Sequence, residues 1–202
     1  MNLLMLLLAF QTSAELVGTD SKLEFENAWC RVVRVQYTPF QKTLMHDHPA
    51  APTVYVYTTD GGHLRISHAE YEQPTIRPLV KAGAIRYQKA EAEHHTVEEM
   101  DGVASEYLRV ELTIEPFDPP LEDVRRAPTD IAPYESRMLR ILRVACVPHA
   151  PCPASEHPEN PAVVIYGRDF KWMDPYAPPI VNSSDQPMMQ VRIELKAKPV
   201  PK

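Results

Sequence analysis

Two histidines flank a single aspartate in the segment LMHDHPAAPTVYVY, which covers residues 44–57. Side chains alternate between the two faces of a strand, so His46 and His48 would share one face and Asp47 would lie on the other. Two imidazoles on one face of an extended segment can supply two nitrogen ligands to a single metal ion. The same pattern also occurs in surface histidines at a strand entrance. A metal site therefore requires a third ligand from another element.

The composition favours a globular protein built from short strands. Of 202 residues, 44% are hydrophobic and 24% are charged, and 21 are proline. Proline is poorly tolerated inside helices and central strands, so this content favours short strands joined by loops. A formal net charge of -6 argues against a nucleic-acid partner. No basic run indicates binding to an anionic membrane surface.

The chain contains an internal repeat. Residues 31–57 align without a gap to residues 140–166, at an offset of 109, with nine identities that include Arg34/Arg143, His48/His157 and Tyr57/Tyr166. A second block, YLRVELTIE, matches QVRIELKAK in its R-x-E-L core. The repeat predicts two all-β modules, at 15–117 and 133–202, joined by a Pro-rich linker at 118–132. The second module is shorter and is predicted to lack one hairpin.

The histidine pair and the duplicated β-module resemble the cupin superfamily. His46, His48 and Gly62 match its first motif, G-x5-H-x-H-x(3–4)-E-x6-G, and GAIRYQKAEAEHHTVEE from Gly83 corresponds to its second. Pro52 or Thr53 stands where the motif has its glutamate, and the proline and glycine of the second motif are replaced. The resemblance implies two tandem jelly-roll β-barrels with a metal at the mouth of the first.

The resemblance also implies a histidine from the second motif as the third ligand. Counting from Gly83 gives His94, whereas strand alternation places His95 on one face with the apolar Val97 and favours His95. Both remain candidates. Three histidines suit Fe, Mn, Ni, Cu or Zn as a divalent ion, and the sequence does not choose between them. Glu98 and Glu99 could orient a ligand, complete the coordination or act as a base, or they could be solvated strand-edge acids.

The second module is predicted to have lost its metal site. Ser155 stands at the position of His46, and Pro178 is opposite His95 when the R-x-E-L blocks are aligned. His157 remains alone and is expected to serve packing or hydrogen bonding.

Two functions follow from these residues. The first is a metal-dependent cupin enzyme, of dioxygenase or isomerase type, that acts on a small molecule. The second is a non-catalytic secreted module that binds a ligand or serves a structural role. A homodimer is possible for either, because cupin-like barrels often pair through their sheets.

The N-terminal segment 1–14 predicts a secretory signal peptide, because Leu3 to Phe10 form an apolar run that is too short to span a bilayer. We therefore expect a secreted or periplasmic protein without a membrane span in the mature chain. Export would permit disulfides. Cys146 and Cys152 are six residues apart and could form a local bridge or remain free thiols, and Cys30 is left over.

Overall fold

The structure, a computed structural model, describes residues 21–114 and 133–200. These residues form antiparallel strands and no helix, so the prediction of an all-β chain is confirmed. In these two ranges no helix is long and apolar enough to cross a membrane. The predicted signal segment 1–14 and the linker 118–132 lie outside the described residues.

The first half of the chain contributes two sheets, one of five strands in the order β1-β2-β9-β4-β7 and one of four in the order β3-β8-β5-β6. Their strands are β1 (Ser21–Glu26), β2 (Cys30–Tyr37), β3 (His46–His48), β4 (Thr53–Tyr57), β5 (Leu64–His68), β6 (Thr75–Arg77), β7 (Ile85–Gln88), β8 (Glu93–Glu99) and β9 (Ser105–Leu112).

The second half contributes a five-stranded sheet in the order β10-β11-β16-β13-β14 and a two-stranded sheet β12-β15. Its strands are β10 (Tyr134–Glu135), β11 (Leu139–Cys146), β12 (Ala150–Pro151), β13 (Ala162–Tyr166), β14 (Asp169–Met173), β15 (Val181–Asn182) and β16 (Met188–Leu195).

The strand pairings of the two halves correspond residue by residue. Cys30 lies opposite Leu112 in the β2–β9 pair, and Leu139 lies opposite Leu195 in the β11–β16 pair. Leu139 follows Cys30 by 109 residues, and Leu195 follows Leu112 by 83 residues. These are the separations of the two repeated sequence blocks, residues 31–57 with 140–166 and the R-x-E-L blocks. The sequence repeat is thus reproduced in the register of the two five-stranded sheets.

The main core lies between the two five-stranded sheets. Alternate residues of each sheet point into this layer and are fully or almost fully buried. From the first sheet they include Val32, Val54, Ile85, Leu108, Val110 and Leu112, and from the second Leu139, Ile141, Val163, Ile165, Ile193 and Leu195.

Reciprocal hydrogen bonds from a repeated arginine join the two halves. Arg34 Nη2 donates to the carbonyl of Arg168, and Arg143 Nη2 donates to the carbonyl of Gly83, both at 2.8 Å. Arg34 and Arg143 are one of the nine identities of the repeat. The identity has a physical reason, because each arginine donates to a backbone carbonyl at the equivalent position of the other half, as in a pseudo-twofold arrangement.

The two halves differ in the space behind their five-stranded sheets. In the first half, β3, β8, β5 and β6 cover the sheet and enclose a second core that includes Val35, Tyr55, Ile66 and Val97. In the second half, β13 and β14 are joined by the two-residue turn Gly167-Arg168, and the described residues contain no counterpart of β5 and β6. The observed difference is the hairpin whose loss the sequence predicts.

Candidate metal and ligand site

Three histidines meet at the mouth of the first barrel. His46 and His48 lie on one face of β3, and β3 pairs with β8 so that His46 is directly opposite His95. The ring centroids are 4.8 Å apart for His46–His48 and 4.9 Å apart for each of the other two pairs. One potential ligand atom from each ring lies within 4.8 Å of the others. Bonds of about 2.1 Å to one ion require ligand atoms about 3–4 Å apart, a spacing within reach of small ring rotations.

The hydrogen bonds of two of these rings, His46 and His95, leave ligand atoms available. His46 Nδ1 donates to the carbonyl of Leu44 at 2.8 Å, which fixes the proton on Nδ1 and leaves Nε2 with a free electron pair. His95 is 5% exposed, and its Nδ1 is buried without a hydrogen-bond partner among the described residues. A buried polar atom without a partner is costly. A metal ion at this point would satisfy it.

Burial keeps two of the rings neutral. Desolvation, reinforced by the charge of Arg109, lowers the pKa of His48 to about 2. Desolvation and the neighbouring His46 lower the pKa of His95 to about 3. Metal binding requires deprotonated imidazole, so these two histidines are competent ligands at neutral pH. The donor set of three imidazoles therefore fits a divalent transition metal.

Arg109 is in direct contact with His48. Its Nη1 lies 2.6 Å from His48 Nδ1, and its Nη2 lies 3.0 Å from Glu111 Oε1. A guanidinium only donates, so His48 Nδ1 must accept and the ring proton must reside on Nε2. Binding of a metal by His48 requires this arrangement to change. Arg109 and a metal ion thus compete for the electron pairs of His48.

Glu93 is the acidic side chain that faces the three histidines. It lies opposite His48 in the β3–β8 pair, is 14% exposed at its side chain, and brings Oε2 within 3.6 Å of His95 Nδ1. With His68 and His95 it forms a second cluster of potential ligands. The ring of His68 is 5.2 Å from that of His95. A carboxylate and a fourth imidazole therefore adjoin the three-histidine group.

The structure does not bring the other candidate residues into this group. His94 lies on the opposite face of β8, where its exposed ring contacts Asp47 Oδ1 at 2.6 Å. Glu98 forms an ion pair with Arg65 at 3.0 Å on the outer side of the barrel. Since neither side chain faces the cavity, the structure assigns neither a part in the site.

Glu99 has a structural role instead of the ligand or base role considered for it. Its carboxylate accepts hydrogen bonds from the backbone N–H groups of Phe40, Asp101 and Gly102 at 2.7–3.0 Å. Strand alternation places Glu99 on the same inward face of β8 as His95, but Glu99 is the last residue of this strand. There it fixes the adjoining turns and cannot reach the histidines.

A cavity of about 260 Å³ opens beside the three histidines. Tyrosines form much of its wall, and Leu44 and Met45 stand at its edge with exposed side chains. Other residues that line it are Val35, Tyr37, Tyr55, Leu64, Ile66, Arg77, Val97, Tyr107 and Arg109. This volume lies just below the range of about 300–1,000 Å³ for typical ligand pockets. The cavity therefore fits a small molecule.

The second half retains polar residues but no histidine group. Ser155, at the position of His46, donates to Glu194 Oε1 at 2.6 Å. His157 is exposed and contacts Glu159 at 3.2 Å. Arg192 and Glu194 are buried at the positions of Arg109 and Glu111. They line a cavity of only about 80 Å³.

The sequence contained a signal for three of the site residues that the motif comparison missed. Arg109 and Glu111 belong to the R-x-E-L block, which served only to identify the repeat. Glu93 is two residues before His95, so alternation alone would place it on the same face. Arg77 is different, because it lies in a three-residue strand that no sequence pattern predicted.

Solved structures are similar to this chain over most or part of its length. No protein-family model and no curated protein matches the chain. Among solved structures, AerE from Microcystis aeruginosa is similar over 88% of this chain and 93% of its own, with 14% identity and a TM-score of 0.56. A cupin domain from Bordetella pertussis Tohama I matches 48% of this chain and 94% of its own, with 19% identity and a TM-score of 0.40. A predicted oxalate decarboxylase from Thermotoga maritima matches 46% of this chain and 77% of its own, with 18% identity and a TM-score of 0.32.

Proposed function

We propose that this chain, a member of the cupin superfamily by its fold, is a metal-dependent enzyme that acts on a small molecule in its first barrel. The convergence of His46, His48 and His95 beside a cavity of about 260 Å³ is the observation that carries the proposal. The three imidazoles would hold a divalent Fe, Mn, Ni, Cu or Zn ion. Such an ion would act as a Lewis acid toward a bound substrate.

The surrounding residues have separate roles in this proposal. Glu93 lines the cavity next to His95 and is positioned to take a proton from a substrate as a general base. The tyrosine and aliphatic walls exclude water from the reacting group. A base beside a Lewis acid suits proton transfer, as an isomerase requires. Oxygen consumption with candidate substrates distinguishes this chemistry from that of a dioxygenase, which needs molecular oxygen.

Metal content is the direct test. The purified protein is incubated in turn with Fe(II), Mn(II), Ni(II), Cu(II) and Zn(II), desalted and subjected to elemental analysis. We expect about one equivalent of metal in the wild type and a loss in a His46→Ala/His48→Ala variant. His94→Ala is the matched control and should keep its metal, because His94 lies on the other face of β8. Absence of metal from the wild type, or equal loss in the control, would refute the proposal.

The contact between Arg109 and His48 favours a second candidate function. A guanidinium 2.6 Å from a ligand nitrogen is compatible with a barrel that binds its ligand without metal. In that case the chain is a non-catalytic binding module, and its ligand would bind equally well after treatment with a chelator.

We also propose that the protein is exported and acts outside the cytoplasm. The bond between Cys146 and Cys152, which joins the end of β11 to the residue after β12, supports this proposal because disulfides persist in oxidising compartments. Mass spectrometry of the protein purified from its source should then find the chain beginning near Glu15, with Cys146 and Cys152 oxidised. The oligomeric state, for which we propose a homodimer, is tested by sedimentation.

A further inference from the structure

The interior of the first barrel has an excess of positive charge. Arg77 lies opposite Leu64 in the β5–β6 pair, and Arg86 lies opposite Tyr55 in the β4–β7 pair, so both point into the barrel. The guanidinium carbons of Arg77 and Arg86 lie 5.7 Å from the ring centroids of Tyr55 and Tyr57. Arg77 and Arg109 thus bring two cationic side chains to the wall of the cavity.

The acidic side chains of the barrel do not balance this charge. Glu111 is already shared between Arg109 at 3.0 Å and Arg31 at 3.2 Å. Among residues 21–114 and 133–200, Arg77 forms no ion pair and no hydrogen bond, although it lines the cavity. Glu93 is the remaining carboxylate of the cavity wall. The histidines do not add negative charge, and a metal ion held by neutral imidazoles would bring two further positive charges.

A cation that is partly shielded from water is stabilised by an anion that pairs with it. Arg109 directs its Nη1 at the histidine group, and Arg77 faces the same cavity. We propose that the substrate of the enzyme proposed above is a small carboxylate whose anionic group lies between Arg77 and Arg109. A guanidinium matches the geometry of a carboxylate, since two parallel N–H groups can bind its two oxygens.

The other residues of the cavity wall determine the rest of the ligand. Val35, Ile66 and Val97 contribute aliphatic side chains to this wall, and Tyr37 and Tyr107 contribute aromatic rings. The hydroxyls of these two tyrosines lie 3.3 Å from each other and are thus engaged together. The ligand accordingly has a compact apolar or aromatic body attached to its carboxylate. Benzoate has this chemistry and is a suitable probe, and benzamide is its neutral counterpart of the same shape.

Isothermal titration of the full chain with benzoate and benzamide tests the inference, in metal-loaded and chelator-treated samples whose metal content is also measured. We expect benzoate to bind at least tenfold more tightly than benzamide in both samples. Arg77→Met should abolish this preference, whereas Arg77→Lys should keep most of it because the charge remains. Arg65→Met is the matched control, since Arg65 faces outward toward Glu98, and it should bind benzoate as the wild type does.

The possible results separate this inference from the proposed function. Equal binding of benzoate and benzamide, or an unchanged preference in Arg77→Met, would overturn the carboxylate site whatever the metal content. Inorganic phosphate that binds as tightly as benzoate would overturn the assignment of an apolar body. A benzoate preference that depends on Arg77 in a protein that takes up no metal would support the carboxylate site and refute the metal-dependent enzyme.

Discussion

Glu106 accepts hydrogen bonds from arginines of both halves of the chain. Replacing its charge should lower the free energy of unfolding by an amount that depends on pH. The side chain is almost completely buried. It receives hydrogen bonds from Arg34 at 2.6 Å, Gln36 at 2.7 Å and Thr58 at 2.8 Å. Arg168, in the short turn of the second half, also donates to it. Glu106→Gln keeps the size of the side chain and removes the charge.

The magnitude follows from the pKa of this carboxyl. Burial alone would raise it, but the hydrogen bonds and the two arginine charges lower the pKa of Glu106 from 4.5 to about 2. Each unit of difference between the folded and unfolded states corresponds to about 1.4 kcal/mol. The ionised carboxylate therefore contributes about 3 kcal/mol to the free energy of unfolding at neutral pH. Because the folded pKa is the lower one, this contribution is complete above pH 4.5 and declines as the pH falls toward 2.

Urea unfolding of the wild type and Glu106→Gln between pH 7 and pH 2 measures this contribution. The variant should lose about 3 kcal/mol at pH 7, and the two curves should converge as the pH approaches 2. Asp60→Asn is the control, since Asp60 is exposed, pairs with Lys81 and accepts from the Ala82 N–H, which an amide oxygen can also do, so its effect should be far smaller than that of Glu106→Gln. A loss that is the same at pH 7 and pH 2 would refute the electrostatic explanation, as would a variant as stable as the wild type.

Three further predictions concern the core, one turn and the metal site. Leu108→Ala, between the two five-stranded sheets, should cost about 2–5 kcal/mol in urea unfolding, whereas a comparable loss from Leu44→Ala at its exposed position would show that burial does not set the cost. Gly102→Ala should be destabilising because its φ is +71° and its new Cβ would lie 2.5 Å from the Phe40 ring. Adding Phe40→Ala should restore only part of the loss, and full restoration would argue against backbone strain. Arg109→Met should tighten metal binding at least tenfold in a chelator competition, since it frees His48 and removes a nearby positive charge, and weaker binding would show that Arg109 does not compete.

The repeat allowed much of the fold to be predicted from the sequence. Its offset of 109 brought β2 and β4 into correspondence with β11 and β13, and the R-x-E-L block did the same for β9 and β16. The sequence did not indicate that the two sheets pack face to face. Both faces of β2 and β4 carry apolar residues, so the alternation does not specify which face packs against the other sheet.

The histidine site was predictable to the extent that alternation governs it. His46, His48 and His95 share a face because each lies in a regular strand, and His94 is excluded by the same rule. Glu99 obeys the alternation as well but lies where β8 ends, and its backbone partners come from turns. Turn geometry depends on contacts distant in sequence, which the pattern of one strand does not contain.

The missing hairpin of the second half explains why this half lacks the candidate metal site of the first half and instead contributes Arg168 to an ion pair between the two halves. In the first barrel, β8 is held between β3 and β5, so the strand that bears His95 is paired on both sides. The corresponding strand β15 has only two residues and one partner, β12. Without counterparts of β5 and β6 the second half also has no positions equivalent to His68 and Arg77. The turn that replaces them is short enough for Arg168 to reach Glu106. The short turn thus replaces a wall of the cavity and places Arg168 in an ion pair that holds the two sheets together. Because the second half lacks this wall and its histidines, a metal site is expected in the first barrel alone.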